Sequence, residues 1–314
     1  MATLFDRSLI YVTGKGGVGR STVAAALGLA AAARGRRTIV CEVAEQGRLP
    51  GVFGRELAGP AEIELTEELW ATSIDPQAAL EEWLRTQVGG PLVRLLAQSS
   101  AFQYFVAAAP GARELVTIVK VWELAQRERW RRGAEGYDLV IVDAPASGHG
   151  IGMLRTPKTY GDLARIGPIH KQADQVTRFL RDRRRTGYVG VALAEEMPVS
   201  ETLEVDRALR EHVGGGLQTI VVNGVYPRRF AKDDVERIEA AATRNGAALG
   251  ARAALQAARG EHLWARGQQG QLRRLRRAAD EAEVVTLPFL FEPQLGRVEL
   301  ERLSGELDRK LGRG

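Results

Sequence analysis

Residues 9–32 constrain this chain more than any other segment. A continuous apolar run, Leu9-Ile10-Tyr11-Val12-Thr13, feeds directly into Gly14-Lys15-Gly16-Gly17-Val18-Gly19-Arg20-Ser21-Thr22, and an alanine-rich stretch follows to Ala32. A strand that is apolar at successive positions is covered on both faces. Alanine and leucine in the next segment favour a helix. The glycines between them let successive backbone N–H groups turn inward, and the helix N-terminus adds partial positive charge at the same point. Such a strand–loop–helix unit is built to cradle phosphate. Ser21 stands where a hydroxyl binds the Mg²⁺ that bridges nucleotide phosphates.

The rest of the chain repeats the strand–helix rhythm. Strands are expected at Leu9–Thr13, Thr38–Val43, Trp70–Ile74, Tyr137–Asp143, Tyr188–Leu193, Gln218–Asn223 and Val284–Leu287. Helical stretches between them imply right-handed crossovers and a mainly parallel sheet. The expected fold is α/β, a doubly wound, mainly parallel phosphate-loop sheet spanning residues 1–314 as one domain. Two longer helical regions, about 76–132 and 156–185, break the rhythm and are read as an inserted helical lobe. The uncharged run Leu95–Ala112 contains Gln98, Ser99, Ser100, Gln103 and Pro110, a poor membrane span and a plausible buried helix pair.

Composition narrows the chemistry. The net charge of +5 comes with 44 basic residues, of which six are lysines; the excess of arginine and alanine has the look of a GC-rich genome. No stretch interleaves arginine with aromatics as a strand-binding groove does, so no nucleic acid is expected. The segments Arg181–Arg185 and Arg273–Arg277 read as solvated helix faces. One cysteine, Cys41, builds no internal disulfide and no cysteine-based zinc site, and the four histidines lack ligand spacing. The N-terminus lacks a signal-peptide pattern and no transmembrane segment is expected, which places the protein in the cytoplasm.

An acid at the end of an apolar strand, Asp143, is a second magnesium candidate, and Ala144-Pro145-Ala146-Ser147-Gly148-His149 follow it. With Lys15 one residue after the first glycine, the loop resembles the deviant Walker A group. The Asp143–His149 turn resembles the second switch of the arsenite-pump and tail-anchored-protein-targeting ATPase family. Three further matches lie in order along the chain. Pro110-Gly111-Ala112-Arg113-Glu114 is similar to that family's Pro-Gly-x-x-Glu motif. Ile220-Val221-Val222-Asn223 is similar to the strand whose terminal asparagine recognises adenine. Leu287-Pro288-Phe289 is similar to the loop that closes over the base. Cys41-Glu42-Val43 and Gly167-Pro168-Ile169-His170 resemble the bacterial, chiefly actinobacterial, branch, which often occurs as paired paralogues.

The resemblance implies ATP or ADP with Mg²⁺, the magnesium held by Ser21 and Asp143. The loop Gly14–Thr22 would hold the phosphates, and Asn223, Pro288 and Phe289 the base. Lys15 would reach across a dimer interface to the partner's nucleotide and have little to do within its own subunit. A homodimer or a heterodimer with a paralogous ATPase follows, with a protein client on the helical lobe. Two departures weaken the expected hydrolysis. Arg20 replaces the Walker lysine, and a planar guanidinium is a poor substitute for a compact ammonium. Ala44 stands where the first-switch aspartate is expected, leaving Glu42 or Glu45 to position the attacking water. Metalloid-binding cysteines are absent, so arsenite is not expected as a ligand. The stripe Leu115, Ile118, Val119, Trp122 falls on one helical face and reads as core before client groove. Two alternatives stay open. One is a non-hydrolysing regulatory subunit of a heterodimer with an intact paralogue. The other is a ParA/MinD-like positioning ATPase, although Leu300–Gly314 makes a poor membrane anchor.

Overall fold

The computed structural model describes residues 3–43, 48–56, 60–87, 109–242 and 249–312. The sheet is built from β1 (Leu9–Gly14), β2 (Thr38–Glu42), β3 (Ile63–Thr66), β4 (Leu69–Ser73), β5 (Leu139–Asp143), β6 (Thr186–Leu193), β7 (Thr219–Val225) and β8 (Glu283–Pro288). Their order across it is β3-β4-β2-β5-β1-β6-β7-β8. All seven expected strands are present, within two residues at each end. They run parallel, as the strand–helix alternation requires. The strand that was not anticipated is β3, the edge strand, antiparallel to β4. It joins β4 through Glu67-Glu68, with Glu68 at φ 59, so the tight turn carries none of the Gly or Asn signals that normally announce one.

The described helices, in chain order, are α1 (Arg20–Ala32), α2 (Arg48–Val52), α3 (Pro76–Gln87), α4 (Ala112–Leu124), α5 (Ser147–Ala164), α6 (Pro168–Arg181), α7 (Glu196–Val213), α8 (Lys232–Ala242), α9 (Leu249–Ala278) and α10 (Arg297–Leu311). Successive β1 residues point to opposite faces. Leu9 and Tyr11 join a core with α4, α5, α6, α7 and α9, while Ile10 and Val12 join a second core with α1 and α10. All six β1 residues are buried, so this strand is the spine on which both layers rest.

Helices α3 to α6 pack on one another beside the sheet. Within them Ile118 and Val119 are buried, and Leu115 and Trp122 pack partly buried against the same core. That face of α4 is therefore occupied by the protein itself. An ion-paired chain ties the region to the sheet edge. Glu123, buried, accepts from Lys120 at 2.8 Å and Arg129 at 2.7 Å, and Arg129 reaches Glu62 at 2.6 Å. Most of Leu95–Ala112 lies outside the described residues. No helix among the described residues is long and apolar enough to cross a membrane.

Candidate nucleotide site

β1 lies between β5 and β6, so its C-terminal end opens where strands depart to either side, the crevice in which parallel sheets take ligands. The glycine loop occupies this crevice. Gly17 and Gly19 adopt φ 84 and 89, a left-handed region that residues with a Cβ avoid. Gly19 is constrained twice, because a Cβ there would stand 2.2 Å from Nδ2 of Asn223. Arg20, Ser21 and Thr22 form the first turn of α1, with their N–H groups at the helix mouth.

Ser21 and Asp143 meet at this mouth: the Ser21 hydroxyl donates to Oδ2 of Asp143. The other carboxylate oxygen, Oδ1, is buried without a hydrogen-bond partner among the described residues. Burial pushes the Asp143 carboxyl above the usual carboxylate range, and the Ser21 hydrogen bond and the Arg20 charge offset this in part. A buried anionic oxygen lacking a partner is costly unless a cation or donor completes it. Hard oxygen donors, one hydroxyl and one carboxylate at a phosphate cradle, suit Mg²⁺. Glu42 is the in-register neighbour of Asp143 across β2 and β5, buried, with Oε1 accepting from the Leu49 N–H at 3.3 Å. Ala44 and Glu45 lie outside the described residues.

Arg20 does not point along the loop. Its guanidinium donates to the carbonyl of Ala144, in the turn after Asp143. Lys15 also has a partner within its own chain, contrary to the sequence expectation: Nζ lies 2.6 Å from Oε1 of Glu201 on α7. Asn223 ends the straight part of β7 and braces the loop from the other side, donating to the Val18 carbonyl at 3.1 Å and accepting from the Gly224 N–H at 2.9 Å. Pro288 closes β8, and Phe289 after it stacks on Tyr226, ring centroids 4.6 Å apart. The structure thus brings Asn223 to the glycine loop and sets Pro288 and Phe289 beside the end of β7 that follows it.

A recess of about 480 Å³ lies between strand ends and helices; Val43, Pro145, His149, Arg113, Glu114 and Met153 line it. The Pro-Gly-x-x-Glu segment therefore faces both strand-end turns. A model of proteins described as anion-transporting ATPase matches residues 7–177, more than half of the chain.

The chain belongs to the anion-transporting ATPase family. It is similar to ATPase BagA of Mycobacterium tuberculosis, 31% identical over 235 residues that cover 73% of this chain and 68% of that protein. It is also similar to ATPase GET3 of Chaetomium globosum, 24% identical over 342 residues, 96% of this chain and 91% of the relative. The arsenical pump-driving ATPase of Escherichia coli is 24% identical over 252 residues, 72% of this chain and 41% of that protein. The anion-transporting ATPase match covers the phosphate loop, Asp143 and the Pro-Gly-x-x-Glu segment, while Asn223 and Phe289 lie beyond it.

Glu201, Tyr226 and Gln268 complete the surroundings of this family site, and sequence reading passed over all three. Glu201 is one of several acids on α7 and gains meaning only from the Lys15 ammonium that folding places beside it. Gln268 sits in a glutamine- and glycine-rich part of α9 with no motif around it.

Proposed function

We propose that this chain is an ATP-binding, dimer-forming ATPase in which the bound nucleotide, with Mg²⁺, controls the partner or client contacts of the helical lobe formed by about 76–132 and 156–185. The observation that carries the reading is Asp143. Among the described residues its Oδ1 is buried without a partner while Oδ2 takes the Ser21 hydroxyl, directly at the mouth of a glycine loop. Ser21 and Asp143 would hold the metal, which when bound neutralises phosphate charge. The loop N–H groups and the α1 terminus bind and orient the phosphates, and Asn223 and Phe289 position the base. Glu42, buried beside Asp143, is the described acid nearest to serve the attacking water; Glu45 is the other candidate. Lys15 would exchange Glu201 for the partner's phosphates on dimerisation.

A second reading is favoured by Arg20. With its guanidinium bonded to the Ala144 carbonyl, the residue at the Walker lysine position is tied to the turn after Asp143. A chain of this kind could bind nucleotide without turning it over and act as the regulatory half of a heterodimer with an intact paralogue. Steady-state ATPase assays on the chain alone, on the paralogue alone and on their mixture separate the two. If the arginine limits turnover, Arg20→Lys raises the rate of the chain alone, by up to the order of 10²-fold for one misplaced contact to the transferring phosphoryl group. A native rate that falls on Arg20→Lys would show a loop adapted to arginine. An inactive chain that stimulates its paralogue through Lys15 would establish the regulatory reading.

A further inference from the structure

The end of β7 is irregular where the base is expected. Val222 pairs with Thr286, but the next pair is Val225 with Pro288, so Asn223 and Gly224 together face the single residue Leu287. Gly224 takes φ 64 to make the extra residue fit. Such a bulge re-aims side chains, and here it accompanies the turning of Asn223 onto the Val18 carbonyl. Gly224 lies in the bulge, and Tyr226 lies just beyond the end of β7. Both residues are partly buried, so their backbone groups need hydrogen-bond partners in place of water.

Gln268 on α9, 94% buried by its 6% exposure, supplies both missing partners. Its Nε2 donates to the Gly224 carbonyl at 3.0 Å and its Oε1 accepts from the Tyr226 N–H at 2.8 Å. One carboxamide thus ties Gly224, in the bulge, to Tyr226 just past the strand. Tyr226, so fixed, stacks between Phe289 at 4.6 Å and Trp264 at 6.5 Å, and Trp264 lies one helical turn before Gln268 on the same helix. The two bonds Asn223 makes also settle which end of its amide is nitrogen: a carbonyl must face NH₂, and an N–H must face oxygen. A fixed donor and acceptor order is what distinguishes adenine from guanine at the N6/O6 edge.

We infer that Gln268 is the positioning residue for base recognition: its two-bond clamp across the β7 bulge holds Asn223 in register and Tyr226 in the ring stack. The inference rests on the nucleotide-binding reading above. It assigns to Gln268 selectivity for the base and no part of phosphate affinity.

The test measures calorimetric affinity of the full chain, with Mg²⁺, for ATP, GTP and inorganic tripolyphosphate. Native protein should prefer ATP to GTP. Gln268→Leu, which keeps the bulk and loses both bonds, should weaken ATP about tenfold, the worth of one or two well-made hydrogen bonds. It should shrink the ATP-to-GTP ratio and leave tripolyphosphate within about twofold. Gln268→Asn, one methylene too short to span both groups, should behave similarly and carries the test if the leucine variant does not fold. Equal losses for ATP and tripolyphosphate, or an unchanged ATP-to-GTP ratio in a folded variant, would show a role in folding alone and overturn the inference. Tripolyphosphate binding without any gain from the base in the native chain would overturn it too, while leaving the phosphate cradle standing. Native protein that binds none of the three would remove the nucleotide reading itself.

Discussion

At Asp143, burial and chemistry pull in opposite directions. Its carboxyl titrates above the usual carboxylate range because the strand end is buried, and the Ser21 hydroxyl and Arg20 recover part of that cost. A raised folded value means the stability owed to this group is complete below its unfolded pKa and is lost as pH rises through the folded pKa. Above the folded pKa the ionised side chain is therefore a cost to the nucleotide-free protein. Asp143→Asn removes the charge and keeps an oxygen for Ser21. The nucleotide-free variant should melt higher than the native chain at pH values above the folded pKa of Asp143. It should also lose any Mg²⁺-dependent stabilisation with nucleotide. In the native protein that Mg²⁺-dependent gain should grow as pH rises through the folded pKa, since the metal takes the deprotonated form. Melting curves against pH, with and without Mg²⁺, check both; a variant that melts lower without nucleotide would show that the charge is compensated by something else.

At the scale of elements, helix α7 holds the loop lysine in place. The Lys15–Glu201 contact joins the turn after β1 to α7, and both side chains are about one-third exposed, at 38% and 30%. Pairs of that exposure contribute about 0–1 kcal/mol. Releasing the lysine for another partner is therefore inexpensive, equivalent to at most about fivefold in a dissociation constant. Glu201→Gln should leave the melting temperature nearly unchanged and strengthen nucleotide-dependent dimerisation by up to that factor, read by sedimentation at several concentrations. Lys15→Ala should abolish the same gain. Dimerisation that ignores both substitutions, or a Glu201→Gln chain that dimerises more weakly, would locate the function of Lys15 in its own subunit.

For the molecule as a whole, the crevice is where β1, α1, β5 and the end of β7 converge, so a ligand seated there joins parts far apart in sequence. Asn223 and Val18 make such a contact already, 205 residues apart. Mg²⁺-ATP or -ADP at 100 times its dissociation constant should stabilise the folded chain by about 2.7 kcal/mol, visible as a rise of about 4 °C. Gly19→Val should abolish the shift, because the backbone holds φ 89 and any Cβ meets the Asn223 amide at 2.2 Å. Calorimetric scans at several nucleotide concentrations read the effect, and a native protein indifferent to millimolar nucleotide would end the proposal.

The strand–loop–helix at residues 9–32, the seven parallel strands and the places of Ser21 and Asp143 were legible in the amino-acid sequence alone, while Asn223 was singled out by the family resemblance. Each depends on local rules: apolar runs for doubly covered strands, glycines where the backbone must approach an anion, and polar residues at strand ends. Edge strand β3 was not legible, because its hairpin turns on two glutamates, the second at φ 59. Nor were the contacts that aim the site. Arg20 bonds Ala144 across 124 residues, Lys15 meets Glu201 across 186, and Gln268 spans Gly224 and Tyr226 from more than 40 residues away. Sequence periodicity records which face of an element is buried. It does not record which polar side chain of a distant helix arrives at a given carbonyl, because that depends on how the packed elements sit against one another. Tertiary packing alone decided those pairings.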